Sequence, residues 1–237
     1  MKAFAGRKLS ILFLLALLGS TLNAQSHNSE IDPVVPRFAV DNVSALQALV
    51  RLSGISHNPL GIVQGDEDLC KTQVTVSVDG AQVSTIAGRI LAAVPGYSWR
   101  AAAGSQVIIV APNAMPPAAK QFLELIDDRY KAKGNTQTLA MTLWVHVRSI
   151  LYPEQGTAGS ILSSADDPVF ALDLKNASIE QILNQIAFVA GGTWILRPLP
   201  EKLIDIDGGP PFSITVASNP SDLNWGELCS PIRALEK

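Results

Sequence analysis

The sequence predicts an α+β fold made of two small repeated lobes, each a short-stranded sheet with two helices packed on it. Three observations carry this. "VSVDGAQVSTIAGRILAAVPG" at 76–96 and "LDLKNASIEQILNQIAFVAGG" at 172–192 share one pattern: strand-like alternation, a turn residue (Gly80 or Asn176), an alanine, and then a helical run. Within that run the apolar residues keep register, Val83, Ile86 and Ile90 answering to Ile179, Ile182 and Ile186. Both copies then close on a glycine, Gly96 or Gly192, with a tryptophan shortly after. One helix could match by chance, but turn, stripe, stop and tryptophan in shared order indicate an internal duplication. Strand-period segments around each helix make the unit α+β.

Residues 1–24 read as a secretory signal peptide. Lys2, Arg7 and Lys8 precede the apolar run "LSILFLLALLG", and small residues lead to Ala24, where cleavage is expected. The run is 11 residues long, well short of the ~20 that a membrane-spanning helix needs. A buried N-terminal helix is the alternative. Residues 25–36 form a polar, proline-bearing lead-in.

The first lobe spans 37–112. A short strand at Arg37–Val40 leads into "DNVSALQALVRLSG", where Leu46, Leu49, Val50 and Leu52 make a helical stripe with Asn42 or Ser44 as cap and Gly54 as stop. "ISHNPLGIV" follows as a strand, and Pro59 assigns it to a sheet edge. "QGDEDLCK" is an acidic loop. Val74, Val76 and Val78 alternate along the next strand, and a helix from Gln82 to Val94 presents Val83, Ile86, Ala87, Ile90 and Val94 to a core. "YSWRA" and "QVIIVA" read as a hairpin.

Residues 113–134 are expected to be a linker carrying an amphipathic helix, Ala118–Lys131, with Phe122, Leu125 and Ile126 on one side. The second, divergent lobe spans 135–218. "TLAMTLWVHVRSIL" fits either period, but its length, the polar residues before it and Pro153 after it favour a helix. Strands are expected at "SILSS" (160–164), "PVFALDLKN", "TWILR" and Phe212–Val216, around a helix from Ser178 to Ala190. Residues 219–237 form a C-terminal tail.

Charge and chemistry narrow the function. Without the three signal-peptide cations, 15 Lys and Arg face 21 Asp and Glu, a formal charge of −6. This argues against a general nucleic-acid binder, whose affinity comes from clustered cations. No second long apolar run occurs, so no membrane span is expected after signal cleavage. The two cysteines, Cys70 and Cys229, both lie in the exported part and are expected to form one disulfide, the alternative being two unpaired thiols.

Catalytic and metal motifs are weak. His27, His57 and His146 have no zinc-ligand spacing with one another or with cysteine. The glycine pairs at 191 and 208 lack a phosphate-loop context, and "DIDGG" from Asp205 lacks the later ligands of a calcium loop. The carboxylates of "GDEDLC" and "SADDP" read as solvated loop acids. Asn42 and Asn176 match the glycosylation pattern, but helix capping explains them. No catalytic, cofactor or metal residue is therefore assigned.

"FAVDNVSALQALVRLSGI" and "VTVSVDGAQVSTIAGRILAAVPGYSWRAAAGSQVIIVAP" together resemble the short N-terminal domain shared by bacterial secretins and TonB-dependent outer-membrane transducers. "FALDLKNASIEQILNQIAFVAGGTWIL" resembles the later half of that domain again. The acidic insert Gly65–Lys71 departs from the family. The resemblance implies a Gram-negative envelope location, periplasmic or secreted. It also implies contact with an envelope protein: a secretin, a transducer or a periplasmic regulator. The expected function is a non-enzymatic interaction module without a cofactor. The alternative is a secreted hydrolase or carbohydrate binder that brings Asp166, Asp167, Asp205 and Asp207 together.

Overall fold

Ser-x-x-Gln occurs immediately before both a helix of the first copy and one of the second, and it starts each of them. Ser44 accepts a hydrogen bond from the Gln47 backbone while the Gln47 side chain accepts one from the Ser44 backbone, and Ser178 and Gln181 repeat the arrangement. Each reciprocal pair satisfies two otherwise orphaned N–H groups. The computed structural model describes residues 32–65, 68–151, 168–198, 212–217, 223 and 225–229.

In chain order the first copy runs β1 (Val34–Ser44), α1 (Ala45–Ser56), β2 (Leu60–Val63), a short α2 (Asp68–Lys71), β3 (Gln73–Gln82), α3 (Val83–Leu91), β4 (Tyr97–Ala101) and β5 (Ile108–Pro112). After α4 (Pro117–Glu124) the second copy runs β6 (Ile126–Gly134), α5 (Thr136–Leu151), β7 (Phe170–Ser178), α6 (Ile179–Ala190), β8 (Thr193–Pro198) and β9 (Phe212–Ala217), and α7 (Trp225–Cys229) follows. The α+β class is therefore present, and so is the duplication. β1 pairs antiparallel with β3 as β6 does with β7, and hairpin β4/β5 answers to β8/β9. The ribbon registers agree from Val34↔Gln82 to Val40↔Val76 and from Ile126↔Ser178 to Ala132↔Leu172, beyond which only β1 shifts register. Phe38 faces Val78 and Tyr130 faces Leu174, with Phe38 and Tyr130 both buried under their own helices.

The same kink recurs in both ribbons. Gly80 and Asn176 occupy the same place shortly before a helix, each left-handed with φ of 60° and 49°. Glycine reaches that region without a Cβ clash, and asparagine is among the few other residues that visit it. Asn42 is left-handed too, at the register shift between Val40 and Val43. Its role and that of Asn176 are thus backbone conformation, with the caps supplied by Ser44 and Ser178.

A five-stranded sheet of order β4-β5-β2-β8-β9 joins the copies. Its three inner strands are parallel and its outer ones antiparallel to their neighbours. Leu60, Ile62, Ile108, Val110 and Ile195 point to a core with α1 and α3, whereas Val63, Ile109, Trp194 and Leu196 point to a second core with α5 and α6. The layers are ribbon, helices, shared sheet, helices, ribbon. Leu223 and Leu228 pack into the first core although the chain has by then passed through the second copy.

Three expectations are corrected. β2 is the central strand, with all four residues buried, and not an edge. Pro59 precedes the ladder, so its missing N–H costs nothing, and its carbonyl accepts from Ile108 N at 3.2 Å. The helix expected over Ala118–Lys131 ends at Glu124, because β6 completes a ladder along β7 from Ile126↔Ser178 to Gly134↔Phe170. Local helical pattern loses there to tertiary pairing. Gly54 lies inside α1, which ends at left-handed His57. The strand expected at 160–164 lies outside the described residues.

The two tryptophans show how the shared sheet uses the duplication. Trp99 follows Gly96 by three residues and Trp194 follows Gly192 by two. In a strand a one-residue shift reverses the face. Trp99 accordingly lies on the side of α3 and is 41% exposed, while Trp194 is fully buried beneath α6 and donates from Nε1 to Asn184 Oδ1 at 2.8 Å. Each tryptophan faces the helices of its own copy.

Candidate interaction surface

The ends of the central sheet carry the open features of the molecule. On β4, the strand opposite β5 is absent among the described residues, and Ser98, Trp99 and Arg100 are exposed along it. Beside it lies a cleft of about 610 Å³ lined by Trp99, Arg100, Met115, Lys120, Glu124 and Glu180. The Arg100 guanidinium donates to the carboxylate of Glu180 in the first turn of α6, tying a strand of the first copy to a helix of the second. Lys120 and Glu124 form a looser pair at 3.9 Å. Backbone groups on an open edge, an aromatic ring and paired charges suit an extended polypeptide that adds to the sheet.

At the other end a groove of about 760 Å³ follows β9. Its walls include Met141, Trp144, Phe170, Phe212, Ile214 and Val216. Phe212 stacks obliquely on Phe122 of α4, with ring centroids 5.4 Å apart. The lining is mainly aliphatic and aromatic, with amide and hydroxyl groups of Asn135, Thr136 and Gln137 at one side.

A buried acid lies away from both clefts. Asp127 stands in β6 where the first copy has Val35, both being nearly inaccessible. Its Oδ1 accepts from Arg129 N at 2.9 Å. Its Oδ2 lies 2.9 Å from His146 Nε2, an ion-pair distance whenever the imidazole is protonated, though not an aligned hydrogen bond. Tyr130 donates from its hydroxyl to the Leu139 carbonyl at 2.8 Å and presents its ring edge-on to His146. Burial first, and then the negative charge of Asp127, push the Tyr130 phenol well above its ordinary value. The group fastens β6 to α5. A helix over 126–131 hides it, and strand alternation from Tyr130 would also put Asp127 outward; two consecutive exposed residues, Asp128 and Arg129, turn it inward.

Cys70 and Cys229 are bonded, with Cα atoms 5.4 Å apart across 159 positions, so the disulfide fastens α7 to the first copy. That distance is ordinary for the bond. His57 ends α1, His146 meets Asp127, and His27 lies outside the described residues. Asp166, Asp167, Asp205 and Asp207 also lie outside them. Among the described residues no group of three or more His, Cys, Asp and Glu is placed to hold a metal, and no helix is long and apolar enough to cross a membrane. No family model, curated protein or solved structure matches this chain.

Proposed function

We propose that this chain is a non-enzymatic, exported protein-interaction module similar to the short N-terminal domain of secretins and TonB-dependent transducers, accessory to envelope transport or signalling. The observation that carries the proposal is the β4 edge, which leaves Trp99 and Arg100 exposed beside a cleft that both copies line. An extended segment of a periplasmic partner would add as a further strand and cover the indole. Main-chain hydrogen bonds would supply affinity, and the charged cleft would supply selectivity. Apart from the short α2 in the acidic insert, the strand-helix-strand-strand-helix-hairpin order of the first copy accords with the family resemblance. The Cys70–Cys229 bond accords with an oxidising compartment.

The test is crosslinked affinity purification of the mature chain from its native envelope, with mass spectrometry of the eluate and Trp99→Asp in parallel. A secretin, transducer or periplasmic regulator captured by the native chain and lost with Trp99→Asp is the expected result. Capture of no envelope protein, or capture unaffected by the substitution, overturns the proposal.

A further inference from the structure

The two ribbons form the outer layers of the molecule, and their outward faces differ in charge at equivalent positions. Aligning Phe38↔Val78 with Tyr130↔Leu174 sets Asp41 of β1 against Lys133 of β6 and Asp79 of β3 against Lys175 of β7. Ala39 is likewise replaced by Lys131, while Arg37 and Arg129 correspond. All of these residues are exposed. The β1/β3 face thus carries one cation (Arg37) and two anions (Asp41, Asp79), formally −1. The exposed charges of β6/β7 are four cations (Arg129, Lys131, Lys133, Lys175) and two anions (Asp128, Asp173), formally +2.

The duplication has kept the ribbon pairing around Phe38 and Tyr130 and reversed the sign of its face. A chain with more acids than bases has no general reason to gather four cations on one sheet. Packing does not require them either, because the ribbon is held from within by Tyr130, Leu172 and Ala177. The corners match as well: Val34 and Ile126, at equivalent places, are 61% and 55% exposed and offer an apolar contact beside each charged face.

We propose that the basic β6/β7 face of one molecule docks on the acidic β1/β3 face of a second copy. The two surfaces differ, so the contact is head-to-tail and leaves one face of each sign free to propagate or to close a ring. The occupant follows from charge complementarity between two antiparallel ribbons that share one pairing register around Phe38 and Tyr130. This inference does not rest on the proposed envelope partner, and either can fail without the other.

Sedimentation velocity of the oxidised mature chain tests it. Concentration-dependent association is expected at low ionic strength and its loss at about 0.5 M salt, where exposed charges are screened beyond a few ångströms. Asp41→Lys/Asp79→Lys and Lys133→Asp/Lys175→Asp, each folded by circular dichroism, should both be monomeric. An equimolar mixture should associate again, since each variant then presents the sign that the other lacks. A native chain monomeric at every concentration overturns the proposal. So does association that survives either reversal, a mixture that stays monomeric, or a basic face that binds anionic phospholipid vesicles in place of a second copy. The salt series on the native chain keeps the test independent of how the variants fold.

Discussion

Gly61→Ala probes the seam between the copies. Gly61 sits in the central strand β2, and a Cβ there would lie 2.8 Å from Trp194 Nε1 and nearer still to the ring carbons. Trp194 has no room to yield: it is fully buried, and Asn184 holds its N–H. Overpacking of this kind costs about 1–3 kcal/mol, and alanine returns roughly 0.5–1 kcal/mol through its lower backbone entropy in a strand. The overlap lies at the severe end of that range, so the expected net loss is about 1–2.5 kcal/mol, or a fall in Tm of roughly 2–10 °C for a chain of this size. Urea unfolding followed by far-ultraviolet circular dichroism measures it. Gly65→Ala is the control, since its Cβ would meet only Pro112 and Tyr97 at an ordinary 3.4 Å. Trp194→Phe trims the indole atoms that obstruct, Nε1 and Cζ2 among them, so the cost of Gly61→Ala should shrink by about 1 kcal/mol in that background, a coupling expected only of residues in contact. If Gly61→Ala behaves like Gly65→Ala, or costs the same in both backgrounds, the first copy's β2 does not run beneath the second copy's tryptophan and the shared sheet is wrong.

Three further predictions concern covalent and polar fastenings. Replacing Cys70 and Cys229 by serine frees a closure of 159 positions and should lower stability by about 2–5 kcal/mol, the upper end being the chain-entropy value; denaturation curves unchanged by reductant would refute this. Asp127→Val, which copies Val35, should alter stability by less than about 1 kcal/mol, whereas His146→Ala, which removes the imidazole beside a buried carboxylate oxygen that has no hydrogen bond, should cost about 1–3 kcal/mol. The reverse ranking in urea would show that the acid is the more important partner. The hydrogen bond from Arg129, with the charges of Arg129, Lys131 and Lys175, holds the Asp173 carboxyl below its ordinary value. Because that value is depressed on folding, its contribution is present above the ordinary carboxylate range and is lost as pH falls through the lowered value. The pair is exposed and the stability effect small, so the readout is the NMR titration of Asp173, which Arg129→Gln should return toward the ordinary value.

Legibility followed chemical distinctiveness. The stripes of α3 and α6 and the β4/β5 hairpin could be read directly because each rests on local spacing, whereas the capping role read for Asn176 belongs to Ser178. β6 could not: "IDDRYKAKG" buries an acid and a tyrosine, so its inward positions do not look apolar. The cleft beside β4 was invisible for another reason. Arg100 and Glu180 are separated by 80 positions and meet only because β4 ends a sheet that passes under α6.

The amino-acid sequence by itself determined the α+β class, the duplication, most helix starts and the buried stripes, since these depend on contacts within a few residues or on a period that repeats. Tertiary structure alone decided that the copies share one sheet, that β2 lies at its centre, that α7 returns to the first core, and that the two ribbons face outward with opposite charge. Those outcomes depend on which strand edge meets which. Edge choice is set by the summed burial of both faces, Leu60 and Ile62 on one side and Val63 against Trp194 on the other, and no local pattern encodes that sum.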